Sequence, residues 1–504
     1  MRKNFNDGNP KTDRHVLSKS TFIKGVNCKK ALYLNKHGKD LRDELSASQL
    51  AIFSQGTAVG ELAQDLFPGG VDCSSESYYD FQKSIQKTKD EIEKGTKVIY
   101  EAAFQFNGVF AALDILVLEK DGWHAYEVKS STSVSANNVL DTSLQYYAIT
   151  NSGVVLNDIS IIFVNKEYMK EGPLDNNRLF AFESVHDRVL VKMEGIPDQI
   201  RGLKKVLTNS EVPSIEIGQH CHKPYSCEFV GHCWKKIPEY SVFDIANLST
   251  VKKQDLYNRG ILDFENIPAD FPLTKNQWKQ VKSELNGEIH IERNKIKQFV
   301  DEVVYPIYHL DFETFRTAAP VFDYSRPYQQ LVFQYSLHIE HKDGRVEHKE
   351  FLAQANGLDP RTAFVEQLVN ECGSFGSVMV YSSYESTQLK SLIEFVPEQR
   401  IALQEIVDRI VDLIVPFRER WYYTPAMKGS HSIKKVLPAL VPDLSYEELP
   451  IKDGEAASSI FSQMVQGAFQ GDVEETRNHL LEYCKMDTLA LVRIYKHLKS
   501  LVNQ

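Results

Sequence analysis

Asp114, Glu127 and Lys129 are residue types that together gather a divalent cation and orient a water for attack. Asp114 is the lone charge in the apolar run Leu113–Leu118. Glu127 and Lys129 lie in Ala125–Ser130, with Lys120-Asp121-Gly122 between the two runs. Apolar and β-branched residues fill both arms and Asp-Gly marks the bend, so the stretch predicts a tight hairpin. Side chains alternate faces along a strand, which puts Glu127 and Lys129 on one side and Tyr126 and Val128 on the other. An Asp, a Glu and a Lys near the core face of a hairpin carry a desolvation cost, and a divalent metal held by the two carboxylates offsets it. The competing reading is an ordinary hairpin with a surface Glu/Lys pair.

A second set of acids occupies the last third of the chain. Asp311 and Glu313 share one face of the strand-like run Ile307–Thr314, and Leu310 and Phe312 share the other. A buried run, Val378–Tyr381, ends just before Glu385. A C-terminal helix from about 474 to 501 carries Tyr483 and Asp487 four residues apart, hence on one face. Taken alone, Asp311-Phe312-Glu313 also fits an edge strand.

The third feature is His220 to Trp234, where Cys221, Cys227 and Cys233 recur at six-residue spacing with Pro and Gly to permit turns. Gathered thiolates repel one another unless a cation joins them, so the cluster points to a metal. Zinc would be satisfied locally by adding His222 or His232. An iron–sulfur cluster prefers four thiolates, and Cys28 can supply the fourth. Cys73, Cys372 and Cys484 have no such company and read as buried small hydrophobes.

Asp114, Glu127 and Lys129 resemble the motif of the PD-(D/E)XK nuclease superfamily. RecB-type members carry a metal-site residue on a preceding helix, which implies Glu61 in Gln55–Phe67, and a Gln on the helix after the active-site strand, which implies Gln145 at the nucleic-acid backbone. The usual Tyr four residues on is Ile149 here, leaving Tyr146 or Tyr147 to substitute. One Cys before such a core and three after it resemble the iron-staple nucleases, the AddB nuclease domain and the CRISPR-adaptation nucleases. That implies a [4Fe–4S] cluster on Cys28, Cys221, Cys227 and Cys233, although the spacing departs from their CxxC pair and keeps zinc open. Asp-x-Glu, a later acid and Tyr-x-x-x-Asp resemble the DnaQ-like (DEDD) exonucleases of the Tyr type. By that resemblance Asp311, Glu313, Glu385 and Asp487 hold two Mg²⁺ or Mn²⁺ ions and Tyr483 orients the water. Glu385 stands where the family usually has Asp, so Asp412 is the reserve acid, ranked as supporting. The whole layout, from about Ser18 to Leu498, resembles a bacterial family fusing an iron-staple RecB-type nuclease to a DnaQ-like domain.

The expected fold class is therefore α/β multidomain. It comprises a PD-(D/E)XK restriction-endonuclease-like core with its Fe–S staple over 1–237, a helical bridge over 238–304 and an RNase H-like DnaQ domain over 305–504. Composition agrees with a globular chain: 504 residues, 42% hydrophobic and 25% charged, with no apolar run long enough to span a membrane. The polar stretch 1–14 reads as a frayed tail rather than a targeting segment, and reduced thiols suit the cytoplasm. A net charge of −10 argues against a general polyanion binder. Local cations still offer phosphate contacts. Arg418 to Tyr423 and Lys428 to Lys435 interleave bases with aromatics, and Lys428, Lys434 and Lys435 are the expected contacts to single-stranded nucleic acid. The expected activity is metal-dependent hydrolysis of DNA phosphodiesters at two centres, in repair or in defence against phage or plasmid DNA. The alternatives are a nucleic-acid-binding scaffold with one or both sites inactive, and an RNA-processing exonuclease.

Overall fold

The computed structural model describes residues 15–74 and 80–502, so the expected tail, 1–14, lies outside the described residues. The chain separates into two compact units. The first comprises residues 1–236 with 318–320 and 325–328, and the second residues 237–317 with 321–324 and 329–504.

The first unit is built on a six-stranded mixed sheet in sequential order: β1 (Val71–Asp72), β2 (Val98–Phe106), β3 (Val109–Glu119), β4 (Gly122–Lys129), β5 (Leu156–Val164) and β6 (Phe180–Ser184). Asn107 and Gly108 join β2 to β3 as a two-residue turn. Both have positive φ, 48° and 65°, which matches the right-handed twist of the flanking strands. β4 and β5 run parallel, which requires a crossover, and the helix Ala136–Asn151 supplies it. Ser135 caps that helix through a reciprocal pair with Asn138. Its inner face sets Leu144, Ala148 and Ile149 against Ile99, Ala111, Leu113 and Ile159 of the strands, all fully buried. The sheet's apolar side is thus closed, and its polar residues converge where β3 and β4 part.

The second unit carries a five-stranded sheet made from β8 (Ile307–Phe315), β9 (Leu331–Glu340), β10 (Val346–Leu352), β11 (Ser377–Val380) and β12 (Ile410–Asp412), in the order β10-β9-β8-β11-β12. β8 is therefore the central strand rather than an edge, antiparallel to β9 and parallel to β11. Helices cover both faces, and the last, Val473–Val502, packs along β8 and β9. Thirty residues at 1.5 Å rise make it about 45 Å long, enough to cross the whole sheet.

The segment expected as a separate helical bridge belongs to this second unit. Its β7 (His290–Ile291) pairs with β13 (Tyr422–Tyr423). Tyr240 donates to Glu284 Oε1 at 2.8 Å, and its hydroxyl lies 3.2 Å from that of Tyr423. Hydrogen bonds across a wide sequence gap make these residues one folding neighbourhood. Both units are α/β with mixed sheets, and no helix among the described residues is long and apolar enough to cross a membrane.

Candidate metal centres

In the first unit, β3 and β4 stay paired only as far as Ile115 opposite Tyr126. Beyond that point the Asp114 carboxylate replaces the ladder, and Val128 N–H donates to its Oδ2 at 2.6 Å. Glu127, 1% exposed, projects beside it. Its Oε1 accepts from Lys129 Nζ at 2.7 Å, and Lys129 also donates to Asp141 Oδ2 at 2.7 Å. A second ammonium, that of Lys19, reaches both Glu127 oxygens, at 3.0 and 3.2 Å. Glu101 on β2 faces Asp114 across the ladder, since Tyr100 pairs with Ile115 and Ala102 with Leu113. Its φ is 51°, a strained value for a residue with a side chain.

The two central carboxyls titrate in opposite directions. Burial, then the Glu127 charge, pushes Asp114 up to about 7 despite Lys19 and Lys129. Burial works the same way on Glu127, but Lys129 and Lys19 outweigh it and hold that group down at about 2. Glu101 is raised by burial. With Glu101, Asp114, Glu127 and Asp141 all ionised, four carboxylates face two ammoniums. Two negative charges remain, which one divalent ion balances.

Glu61 is not brought to this centre. It is exposed on the helix Ala47–Gln64 and is not among the charges acting most strongly on Asp114 or Glu127. Gln145, expected at the nucleic-acid backbone, is fully buried on its helix and close enough to Glu127 to lower its pKa, yet neither amide atom makes a well-formed hydrogen bond. Tyr146 is half-buried against His186, ring centroids 5.6 Å apart, and Tyr147 packs into the core on Phe106.

In the second unit, carboxylate oxygens of Asp311, Glu313 and Asp487 all lie within 4.8 Å of one another. β8 presents the first two from the centre of the sheet, and the last helix lowers Asp487 onto them. Glu385, in the first turn of the helix Tyr384–Phe395, is 3% exposed, and its Oε2 has no hydrogen-bond partner. Burial raises all four pKa values. Asp311 and Glu313 rise well above the carboxylate range, with Asp487 the next cause in each. Glu385 reaches about 8 through burial and the Asp412 and Asp487 charges. Asp487 reaches only about 6, because Tyr446, Lys434 and Tyr483 pull it back. Tyr446 donates to Asp487 Oδ1 at 2.7 Å. The helix Gly454–Val465 starts against Glu313, where a Cβ on Gly454 would stand 3.3 Å from Oε2. Asp412 turns away: its Oδ1 accepts the N–H groups of Ser382 at 2.9 Å and Ile414 at 3.0 Å. It clamps that loop while its charge still acts on Glu385.

Cys28, Cys221, Cys227 and Cys233 line one small pocket. Cys28 caps the end of the helix Lys19–Asn27, and the other three come from turns over 219–233. Burial and mutual repulsion raise the thiols of Cys227 and Cys233. Ala31, Ile217 and Phe229 form an apolar wall. The histidine in this wall is His220; His222 and His232 are exposed. No three of the four sulfurs fall within 4.8 Å of one another. A single zinc with Zn–S near 2.3 Å would hold its sulfurs about 3.8 Å apart. Cys73, Cys372 and Cys484 are buried, as expected of small apolar residues.

The basic and aromatic stretch behaves differently from its reading as a base-stacking surface. Tyr422 and Tyr423 are core residues of β13, and Arg420, 2% exposed, stacks 4.5 Å from the Tyr423 ring centroid. These rings are out of reach of bases. Lys428 is paired with Glu239 at 2.6 Å and Lys435 is exposed. Lys434 joins the second centre, its ammonium 5.9 and 5.8 Å from the Tyr446 and Tyr483 ring centroids and its charge acting on Glu313 and Asp487. The residues that sequence reasoning missed are Lys19, Glu101 and Asp141 in the first centre and Tyr446 in the second. Only Asp141 had a sequence signal, as an acid opening the turn that carries Gln145.

Fold and sites together define a mixed α/β protein with two buried acidic centres and a pocket of four thiols. Residues 308–432 match the model of a family described as a domain of unknown function (DUF2779). The chain is similar to the uncharacterized protein UU173 of Ureaplasma parvum serovar 3, 26% identical over 299 residues, which are 53% of this chain and 41% of that protein. It is also similar to the uncharacterized MG366 homolog of Mycoplasma pneumoniae, 26% identical over 232 residues, 42% of this chain and 34% of the relative. MG366 of Mycoplasma genitalium is 23% identical over 232 residues. The matched stretches thus span less than half of each relative's length.

Proposed function

We propose that the protein is a metal-dependent nuclease with two centres, a PD-(D/E)XK-type one in the first unit and a DEDD-type one on an RNase H-like second unit. The observation that carries this reading is the convergence of Asp311, Glu313 and Asp487 within 4.8 Å in a buried setting. Carboxylates so placed repel one another, and their raised pKa values record that cost. Stable proteins do not keep such a cluster without a cation or a proton to fill it.

Asp311, Glu313, Glu385 and Asp487 would hold two Mg²⁺ or Mn²⁺ ions, and Asp114 with Glu127 would hold one. Such ions supply Lewis acidity and stabilise the charge that builds on a phosphodiester under attack. At the first centre, Lys129 orients the attacking water, with Asp141 fixing its ammonium. At the second, the Tyr483 hydroxyl orients the water. The four thiols would hold a [4Fe–4S] cluster, which ties the helix Lys19–Asn27 to the turns over 219–233 and so fixes the edge of the first unit. The proposed substrate is DNA with single- or double-stranded ends, in the cytoplasm, in repair or anti-phage or anti-plasmid defence. RNA is the alternative polymer.

The test is a digest of end-labelled single- and double-stranded DNA, with RNA in parallel, by anaerobically purified full-length protein in Mn²⁺. Asp114→Asn and Asp311→Asn should each remove a separable activity. Unchanged cleavage of every substrate by both variants would overturn the assignment.

A further inference from the structure

Lys19 opens the helix Lys19–Asn27, the end where a helix dipole disfavours a cation. No acidic residue accompanies it in the first turn. Ser18 and Thr21 fix this helix start through a reciprocal capping pair, so Lys19 leaves the backbone at a defined point. What compensates the dipole is Glu127, whose two oxygens receive the Lys19 ammonium at 3.0 and 3.2 Å. Lys129 grips the same carboxylate from its own strand and is itself anchored by Asp141. The Lys19 ammonium hydrogen-bonds to Glu127 alone among the described residues, and 26% of its side chain remains open to solvent.

We propose that Lys19 is the resident counter-ion of Glu127, a built-in competitor for the divalent ion at the first centre. The idea rests on reading Asp114 and Glu127 as a divalent-ion site. Both oxygens that such an ion would use on Glu127 already bear an ammonium; the two ammoniums are similarly exposed, and Lys19, unlike Lys129, is not also tied to Asp141. Lys19 would be repelled by a cation held on Asp114 and Glu127, and would give up at least one oxygen and turn outward on its four-carbon stem. Turned out, the ammonium stands at the mouth of the centre, where it pairs with a phosphate oxygen of a bound strand. Lys19 thereby keeps the metal-free carboxylate neutralised and couples ion binding to strand binding. It is a positioning residue with two states.

Calorimetric Mn²⁺ titration of the full-length protein tests this, with Asp311→Asn present throughout to weaken the second centre. Lys19→Met removes the competitor and should bind Mn²⁺ at least threefold tighter, while cleaving at saturating Mn²⁺ at least tenfold slower. Lys19→Arg holds both oxygens with a planar fork and should bind Mn²⁺ at least threefold more weakly. If Lys19→Met does not fold, Lys19→Arg decides alone. Weaker or equal Mn²⁺ binding by Lys19→Met, or unchanged binding by Lys19→Arg, overturns the proposal. Asp114→Asn in the same background separates the two levels. If it leaves Mn²⁺ uptake unchanged, the ion site itself is refuted; if it abolishes uptake while the Lys19 variants behave as the parent, only the role of Lys19 falls.

Discussion

The two acidic centres solve one electrostatic problem in different ways. In the first, lysines supplied by the chain stand among the carboxylates, and the acids are driven apart, Glu127 to about 2 and Asp114 to about 7. In the second, Lys434 acts from beyond the tyrosine rings, and every carboxyl is raised. One centre stores protein cations and lacks two positive charges. The other has four carboxyls and one acting cation, Lys434, so full ionisation would leave three negative charges. Under the proposed reading the second centre therefore has more to gain from a metal, since burial and mutual repulsion favour the protonated form of each of its carboxyls.

Breaking the second centre should therefore give the largest effect. Asp311→Asn removes the carboxylate flanked by all three of its partners. The activity assigned to this centre should fall by about 10³-fold or more, on the order of 4 kcal/mol of transition-state stabilisation. The same variant, stripped of metal, should melt higher than the parent, because the carboxylate repulsion is relieved. A scan in chelator against one in Mn²⁺ checks both halves.

The pH dependence sharpens the contrast. A carboxyl whose pKa is higher folded than unfolded binds more protons in the native state, so stability falls as pH rises between the two values. For Asp487 that window runs from 3.8 to about 6, and for Glu385 from 4.5 to about 8. Metal-free protein should thus lose several degrees of melting temperature between about pH 4 and 8, and Mn²⁺ should cancel the loss. Glu127 has the opposite sign. Its depressed pKa gives stability that is present above 4.5 and is lost as pH falls towards 2. Asp311→Asn should flatten the first limb, and Glu127→Gln the second.

An intermediate effect is expected at the thiol pocket. Cys227→Ser should cut bound iron from roughly four atoms per chain to near none and bleach the brown colour of anaerobic protein. Its melting temperature should drop, while Mn²⁺ uptake at the second centre stays as in the parent. Retained zinc at one equivalent, with no iron in the parent, would replace the cluster by a single ion.

Much of this was legible because strand chemistry is local. Alternation around Asp114, Glu127 and Asp311 placed the acids correctly on β3, β4 and β8, and the four-residue spacing placed Tyr483 with Asp487. Lys19 was not legible, since 108 positions separate it from Glu127 and only the fold joins them. Glu101 is a single acid within the apolar strand β2, and its positive φ leaves no trace in composition. Arg420 to Tyr423 misled because interleaved charges and rings suit a surface or a core network equally. The partner that decided the matter, β7, lies some 130 residues earlier. The helix of Glu61 does pack its Val59 and Ala63 face on the sheet, but Glu61, beside that face, is exposed.

The smallest effect tests the finest point of the comparison. Tyr446 comes from a turn with no periodicity, yet its hydroxyl donates 2.7 Å to Asp487 Oδ1 and is among the groups that keep this acid below its neighbours. A hydrogen bond to a charged acceptor is worth about 1.5–3 kcal/mol, and Tyr483 and Lys434 share the task here. Tyr446→Phe should therefore weaken Mn²⁺ binding by about tenfold at most. It should also move the pH at which binding is half lost upward, because Asp487 then holds its proton more tightly. Tyr483→Phe should do the converse, slowing cleavage at saturating Mn²⁺ with a smaller change in affinity. If Tyr446→Phe instead slows cleavage with no shift in Mn²⁺ affinity or in the pH profile, Tyr446 acts on the bound strand and not through Asp487.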